Sequence, residues 1–396
     1  MTLAAAIAGR TADKPARPTT SSIAGVEIFD DLDAAEAIWR GLQTPQSSTT
    51  PFQRFEFLAL WQQHVGSREG FRPLVTVAYD RERRPLLLLP LALQKVAGIR
   101  IANFMGGKHA TFNMALWDRD FAAAARPADL EALVSAMRLR QPIDVLAFHR
   151  QPINWQGQPN PFAFLAHQPS VNDCPVMTLA AGAATAAHLG QSARRRLKGK
   201  ERKLEMLPGY RYYAATGDAD IARLLDAFFQ LKPQRMAEQQ LPDVFEEPGV
   251  EDFVRSACTA RLANGEPVIQ IHALECDDEV IAIFAGLADG DRFSMMFNTY
   301  TASANSRHSP GLILISHIVD HYAERGYRAI DLGVGGDSYK RLFCKSDEAI
   351  FDCFIPLSVR GIPAAALMSG VNRAKYFVKH SPKLLQAAQR LRRVIR

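Results

Sequence analysis

The sequence has few cysteines: its 396 residues include five, Cys174, Cys258, Cys276, Cys344 and Cys353, and no CxxC pair. An odd and small number of cysteines argues against a disulfide framework and against a structural zinc site, and it fits a reducing compartment. Long hydrophobic runs are also lacking, since none approaches the roughly 18 apolar residues of a membrane-spanning helix. We therefore expect a cytoplasmic protein that holds no metal.

The composition is otherwise ordinary, with 47% hydrophobic and 22% charged residues, which excludes collagen, a coiled coil and global disorder. The first 22 residues differ from the rest. Residues 11–22 are rich in Pro, Thr and Ser, and the short apolar run at 3–8 has no positive residue before it. We predict that residues 1–22 are a disordered lead-in and not a signal peptide.

The net charge of +6 is concentrated in two segments. Residues 192–203 contribute +6 and residues 373–396 contribute +8, so the remaining residues carry −8. The first segment is predicted to be a helix with Arg194, Arg195 and Lys198 on one face. That face is expected to bind phosphates of an acceptor or of nucleic acid; a solvated helix face is the alternative.

The second basic segment belongs to a predicted amphipathic helical tail, residues 361–396. Leu384, Leu385, Leu391 and Ile395 form an apolar stripe with the arginines largely off it. This pattern is typical of a helix that lies on an anionic membrane surface. Packing of the stripe against the domain is the alternative.

Helices and strands follow the same order in both halves of the chain: helices, an antiparallel meander, then a helix and a strand. In the second half, the meander strands are predicted at 267–275, 279–288 and 292–298. Single crossover helices between parallel strands do not occur in the pattern, which argues against a Rossmann sheet. The predicted class is α/β (α+β), with two domains, 23–185 and 186–360, each a mostly antiparallel mixed sheet flanked by helices.

One motif predicts the sharp start of a helix. In Ser309-Pro310-Gly311, serine is a good N-cap and proline is tolerated at the first helical position. The free amides and the positive dipole end of such a helix favour anions, and Arg307 and His308 would add donors. A pyrophosphate-bearing cosubstrate would fit there; a capped helix that only packs on a sheet is the alternative.

A second motif combines a glycine loop with a cluster of polar side chains. A short predicted strand leads into the loop at 333–336, and Asp337, Tyr339, Lys340 and Arg341 follow. Glycines allow a ligand to approach the backbone closely. The spacing is not that of GxGxxG followed by a helix, so a dinucleotide fingerprint is excluded.

Together the motifs resemble a known family. The runs Ser309-Pro310-Gly311-Leu312, Gly326-Tyr327, Ile330-Asp331-Leu332-Gly333 and Gly336-Asp337-Ser338-Tyr339-Lys340 are similar to the acyltransferase domain of CelD-like proteins. Those proteins are members of the GNAT superfamily, close to the FemAB-like double-domain group. The resemblance covers most of residues 22–357 and implies two GNAT-like domains, with acyl-coenzyme A (acetyl-coenzyme A) as the cosubstrate at the second.

The chemistry of acyl transfer to an amine, together with this resemblance, suggests roles for the candidate residues. Asp337 is the expected general base and Tyr339 the expected acid for the leaving thiolate. The expected donor site consists of Phe297, Asn298, Thr299, Arg307, His308, Ser309, Gly311 and Leu312. The expected acceptor-binding residues are Arg194, Arg195, Lys198, Lys340 and Arg341. Purely structural roles, such as a cap for Asp337 and packing for Tyr339, are the alternatives.

The expected function is therefore N-acyl transfer from acyl-coenzyme A to an amino group on an amino sugar or another envelope or exopolysaccharide precursor. Two alternatives stay open. One is a FemAB-like transferase that uses aminoacyl-tRNA, whose RNA would contact the basic helix; we expect no other nucleic-acid partner. The other is a non-catalytic module of a polysaccharide-synthesis complex.

Overall fold

Two large mixed β-sheets and the helices packed on them make up the described part of the chain. The structure, a computed structural model, describes residues 21–179, 189–381 and 383–384. Its α-helices are α1 (Leu32–Gly41), α2 (Phe55–Trp61), α3 (Arg119–Ala124), α4 (Pro127–Arg140), α5 (Gln191–Glu205), α6 (Asp218–Glu238), α7 (Val250–Thr259), α8 (Pro310–Glu324), α9 (Lys340–Phe343) and α10 (Gly361–His380). A π-helical turn, Gln62–Gly66, follows α2, and a 3₁₀ turn, Ala304–His308, precedes α8.

The strands of the first half and the last strand of the chain are β1 (Gly25–Phe29), β2 (Ser47–Ser48), β3 (Arg72–Tyr79), β4 (Pro85–Val96), β5 (Ile99–Phe104), β6 (Leu116–Asp118), β7 (Val145–Pro152), β8 (Asn154–Trp155), β9 (Gln158–Pro159), β10 (Gln168–Pro169) and β18 (Ile350–Pro356). The others are β11 (Cys174–Thr178), β12 (Arg211–Ala214), β13 (Gln270–Cys276), β14 (Glu279–Ala288), β15 (Arg292–Tyr300), β16 (Ala329–Asp331) and β17 (Ser346–Glu348).

The two large sheets have the same sequence of pairings. The first sheet has the order β1-β3-β4-β5-β7-β18-β10, with β6 and β2 attached, and the second has the order β12-β13-β14-β15-β16-β11-β17. In each, the fourth and fifth strands, β5–β7 and β15–β16, are parallel, and the other neighbours along these two orders are antiparallel. This architecture confirms the predicted class, α/β (α+β) with mostly antiparallel mixed sheets.

One strand from each half lies in the sheet of the other half. Strand β11 belongs to the first half in sequence but lies in the second sheet between β16 and β17, and β18 belongs to the second half but lies in the first sheet between β7 and β10. The predicted domain limits at residues 185 and 360 therefore do not coincide with the sheets. The alternation of apolar residues along a strand predicts which of its faces is buried. It does not predict in which of two sheets the strand finds its hydrogen-bonded neighbours.

The halves also share a core. The rings of Phe57 and Phe253 lie 5.2 Å apart across the junction, and both side chains are fully buried. Thr111 donates a hydrogen bond of 3.1 Å to the carbonyl of Met295 on β15, and Arg54 donates one of 2.7 Å to the carbonyl of Ala288. The first half thus supports the backbone of β15 directly.

A buried ion cluster holds the second sheet together at the base of β15. The guanidinium of Arg292 donates to Asp331 on β16 at 2.9 Å and to Glu348 on β17 at 2.7 Å. Its carbon Cζ lies 4.9 and 4.6 Å from the ring centroids of Phe112 and Trp155 of the first half. Arg292 is 6% exposed and Asp331 is 0% exposed, so the pair is removed from water. The nearby charges of Asp331 and Glu348 raise the pKa of Arg292 despite its burial.

The two ends of the chain lie partly outside the described residues. Of the predicted lead-in, Ser21 and Ser22 are described, and both donate to Asp129, at 3.0 and 2.6 Å. Of the predicted tail, α10 packs on β7 and β18 through Ala365, and most of the apolar stripe beyond it lies outside the described residues. Among the described residues, no helix combines the length and the apolar character needed to cross a membrane.

We predict that Asp331→Asn lowers the free energy of unfolding by about 3–5 kcal/mol, because it leaves the buried charge of Arg292 without its partner on β16. The matched control is Asp291→Asn, which breaks a pair with the exposed Arg328 and should cost about 0–1 kcal/mol. Urea unfolding followed by circular dichroism measures both variants. Equal losses in the two variants would contradict a structural role for the buried pair.

Candidate active site

The central strands of the second sheet part near the middle of β15. Pairing of β15 with β16 covers Arg292–Ser294 and Ala329–Asp331, and β15 continues to Tyr300 paired only with β14. A register shift in the β14 pairing places one extra residue, Met296, on β15 at this point. A bulge of this kind bends a strand away from its neighbour. The edge of β15 beyond Ser294 is thus left open to a ligand.

Helix α8 begins beside this open edge at Pro310, as predicted, with Ser309 at the N-cap position but without the expected cap hydrogen bond. Ser309 has a left-handed backbone, φ 57°, and its side chain makes no cap hydrogen bond. Its hydroxyl oxygen instead accepts from the ammonium of Lys200 on α5, at 2.7 Å. The amides of Leu312 and Ile313 both donate to the Ser309 carbonyl, and Pro310 has no N–H. Among the described residues no acceptor is found for the Gly311 amide, so one backbone donor and one cation are available at this helix start.

A cavity of about 270 Å³ lies between the open edge of β15 and the start of α8. It brings together six of the predicted residues: Asn298, Thr299, Ser309, Gly311, Leu312 and Tyr339. Phe284 and Ile315 add apolar walls. Thr299 is 4% exposed, and its hydroxyl oxygen has no hydrogen-bond partner among the described residues.

Tyr339 closes the cavity opposite β15. Its hydroxyl oxygen accepts a hydrogen bond of 3.1 Å from the side-chain amide of Asn298. Burial raises the pKa of the Tyr339 phenol well above its ordinary value, and the charge of Asp337 acts in the same direction. The phenol is therefore protonated at neutral pH, and because Asn298 is the donor of their hydrogen bond, the phenolic proton is free to be donated elsewhere.

Lys232 is a neighbour of this site that the sequence reasoning missed. Its ammonium donates to the carbonyl of Asn298 at 3.1 Å and lies 5.6 Å from the ring centroid of Phe245. Burial lowers the pKa of Lys232. The spacing of residues on α6 could have indicated it. Lys232 lies seven residues after the buried Leu225 and four after the buried Phe228, so it shares their face of the helix.

Three predicted donor-site residues do not line the cavity. The ring of Phe297 packs in the core 4.7 Å from the ring of Phe228, which leaves only its backbone near the open edge. Arg307 is exposed and donates to the ring nitrogen of His308 at 3.1 Å. Burial, together with the charges of Arg307, Lys203 and Lys200, lowers the pKa of His308.

Lys340 does not have the role expected of an acceptor-binding residue. It is 2% exposed, and its ammonium donates to the carbonyls of Gly333 and Val334 at 3.1 and 3.4 Å, so it holds the glycine loop closed. Asp337 lies 3.5 Å from the same ammonium, with 65% of its side chain exposed and outside the cavity lining. This correction follows from the geometry of the loop, which turns Lys340 inwards.

The other predicted cations are spread over the surface. Arg341 is half-exposed and pairs with Asp347 at 2.8 Å. Arg194, Arg195 and Lys198 are exposed on α5 and none of them lines the cavity. Lys200 lies on the face of α5 that packs towards α8, and its ammonium contacts Ser309 at the start of α8.

The face of α5 that carries Lys200 was readable in the sequence. Ala193, Leu197 and Leu204 fall at helical spacing with Lys200 and mark the packed side of the helix, and Leu204 is fully buried. A cation between apolar residues on the packed face of a helix lies closer to the neighbouring helix than cations on the solvent face. The count of charges in residues 192–203 therefore indicated the helix that contacts α8 but not which of its cations makes the contact.

Comparisons with known proteins agree with this geometry. Residues 191–341 match the family model of the acetyltransferase (GNAT) domain. A comparison with curated proteins finds no match. Among solved structures, a conserved protein of unknown function from Bacteroides thetaiotaomicron is similar with a TM-score of 0.51 at 11% identity, over 84% of this chain and 100% of that chain.

Two further solved structures have a TM-score of 0.50. The C-terminal domain (DUF2156) of a candidate lysylphosphatidylglycerol synthetase from Agrobacterium fabrum is 12% identical, over 86% of this chain and 97% of that chain. FemX is 8% identical, over 77% of this chain and 96% of that chain. At these identities the likeness concerns the fold. Residues 191–341 thus match the model of an acetyltransferase (GNAT) domain, and the chain resembles FemX and the other two structures in its fold.

Proposed function

We propose that the protein is an N-acyltransferase that moves an acyl group from acyl-coenzyme A to an amino group. The observation that carries this proposal is the cavity of about 270 Å³ between the open edge of β15, the start of α8 and Tyr339. Its volume suits a slender acyl and pantetheine arm better than a whole nucleotide. Phe284, Leu312 and Ile315 supply the apolar walls that such an arm requires.

The phosphates of the donor would lie at the start of α8. A helix N-terminus favours negative charge, and the Gly311 amide and the Lys200 ammonium are both directed to this point. The exposed cations of α5 extend the positive surface outward from Lys200. The nucleotide would therefore lie outside the cavity, along α5.

The chemical step needs an acceptor for the charge that develops on the carbonyl oxygen and a donor for the leaving thiolate. Backbone amides at the unpaired edge of β15 supply the first. The protonated phenol of Tyr339 supplies the second, and a thiol with a pKa of about 8.5 needs only a weak acid. Asp337, exposed beside the loop, takes the proton of the attacking amine through water.

The acceptor in this proposal is an amino sugar or another precursor of the cell envelope or of an exopolysaccharide. It would approach from the side of the glycine loop, where Asp337 and Arg341 are exposed to solvent. The basic tail beyond α10 would keep the enzyme at a membrane surface where lipid-linked precursors are found. No metal takes part in this scheme.

We predict that Tyr339→Phe lowers kcat about 10²-fold with acetyl-coenzyme A and an amine acceptor, because the leaving thiolate loses its proton donor. The wild-type rate should show no alkaline decline below about pH 10, since the pKa of Tyr339 is raised above that of a free phenol. Release of free thiol measures both quantities. The control is Tyr213→Phe, whose hydroxyl donates to Glu275 far from the cavity and whose loss should leave kcat unchanged. An unchanged kcat in Tyr339→Phe would refute the acid role.

We predict that Lys200→Gln weakens binding of acetyl-coenzyme A about five- to tenfold, because a cation directed at the donor phosphates is lost. The matched control is Lys95→Gln, an exposed cation on β4 of the first half, whose loss should change the affinity less than about twofold. Isothermal titration calorimetry measures both. The absence of binding to the wild-type protein at millimolar acetyl-coenzyme A would overturn acyl-coenzyme A as the donor.

A second candidate donor, aminoacyl-tRNA, is favoured by one observation: the solvent face of α5 carries exposed cations next to the start of α8. RNA phosphates would bind such a face with a strong salt dependence. Retention of charged tRNA on a filter tests it. Retention that is lost at high salt and weakened by Lys198→Gln would favour this donor, and no retention at low salt would exclude it.

A further inference from the structure

A second and larger cavity, of about 450 Å³, lies in the first half of the chain. It forms where the parallel strands of the first sheet part: β5 and β7 pair as far as Asn103 and Ala147, and both residues line the cavity. This is the position in the first sheet that corresponds to the parting of β15 from β16 in the second. Val334, in the glycine loop of the second half, completes the wall.

A bulge in β7 directs two basic side chains to this cavity. Two residues, His149 and Arg150, lie opposite Asp352 of β18. Arg150 has a left-handed backbone, φ 55°, and this uncommon conformation for a bulky side chain is held by its amide, which donates to Asp352 at 2.8 Å. A backbone conformation that is held in this way fixes the direction of the side chain.

The guanidinium of Arg150 is held by backbone carbonyl groups, and it forms no ion pair among the described residues. Its Nη1 donates to the carbonyls of Lys108 and Ala110 at 3.1 and 3.0 Å, and among the described residues neither Nε nor Nη2 has an acceptor. Burial lowers the pKa of Arg150. The charge of Asp352 acts in the opposite direction. Because Arg150 is only partly buried, its N–H groups at Nε and Nη2 are available to an anionic ligand.

The other charged residues that line the cavity also favour an anionic ligand. The cations are Lys108, Arg150 and Lys375, and the lining carboxylate is Asp352. Asp352 is already satisfied by the amide of Arg150, by Ser170 and by the side-chain amide of Asn372, with His149 3.6 Å away. Lys108 pairs with Glu247, which leaves Arg150 and Lys375 as the cations available to a ligand.

Asn113 adds a requirement for a hydrogen-bond donor in the ligand. It is 2% exposed, and its side-chain nitrogen donates to the carbonyl of His149 at 3.0 Å. That contact fixes the orientation of the amide, because a carbonyl can only accept. The oxygen Oδ1 is left without a partner among the described residues, and Asn113 lines the cavity.

We propose that this cavity binds a small hydroxylated anion, whose phosphate or carboxylate group lies against Arg150 and Lys375 and whose hydroxyl group donates to Asn113. Charge-assisted hydrogen bonds to a guanidinium supply the affinity, and the unpaired oxygen of Asn113 distinguishes a polyol anion from a simple ion. The proposal goes beyond acyl transfer, because the first sheet builds this site and the ligand would bind there in the absence of an acyl donor.

Calorimetric titration of the full chain with glucose 6-phosphate, in the absence of any acyl donor, tests the proposal. We expect one molecule to bind per chain, and inorganic phosphate to bind more weakly because it cannot place a sugar hydroxyl at Asn113. Glucuronate tests a carboxylate in place of the phosphate, and the tighter of the two sugar anions identifies the group that the site prefers. No binding of any of the three probes at millimolar concentration would overturn the proposal.

Four variants locate the binding. Arg150→Gln should weaken binding of glucose 6-phosphate about tenfold or more, and Lys375→Gln about two- to fivefold because Lys375 is exposed. The control Arg138→Gln removes an exposed cation of α4 and should leave the affinity unchanged. If Arg150→Gln does not fold, Lys375→Glu decides: reversal of the charge should weaken binding more than Lys375→Gln does. Unchanged affinity in folded Arg150→Gln, or in Lys375→Glu, would refute the site.

Discussion

The buried guanidinium of Arg292 is the interaction on which the second sheet depends. It joins β15 to Asp331 on β16 and to Glu348 on β17, and it faces two aromatic rings of the first half. Such a cluster is costly to form and more costly to break, because each partner that is removed leaves a charge without solvent. Since it ties the central strands at one end, they can part at the other end while the sheet remains intact.

The parting of parallel strands occurs in both sheets, but the two cavities differ in chemistry. The one beside β15 has apolar walls, a protonated phenol and a helix start, which suit an acyl arm with phosphates beyond it. The one beside β7 has a guanidinium bound only to carbonyl groups and a buried amide oxygen without a partner among the described residues. In our two proposals the same order of strands serves two kinds of ligand, because topology provides the opening and the side chains decide what enters it.

Sequence reasoning grouped residues that the structure brings to one cavity, but it did not show the direction of each side chain. It identified the end of β15, the start of α8 and Tyr339, and the structure brings these three together. It failed at Lys340, which is adjacent to Tyr339 in sequence but points into the glycine loop. Neighbouring side chains in a short helical turn point in different directions. The order of residue types alone does not show which of these side chains faces a cavity.

The periodicity of apolar residues alone determined most helices and strands, including the meander and the helix that the structure places at Pro310–Glu324. It also determined the fold class, because local pairing of consecutive strands follows from short turns. Only the tertiary structure decided that β11 and β18 each lie in the sheet of the other half, that Lys200 contacts Ser309 at the start of α8, and that Lys232 supports β15. These outcomes depend on contacts between residues distant in sequence, whose energies come from burial and pairing rather than from local conformational preference.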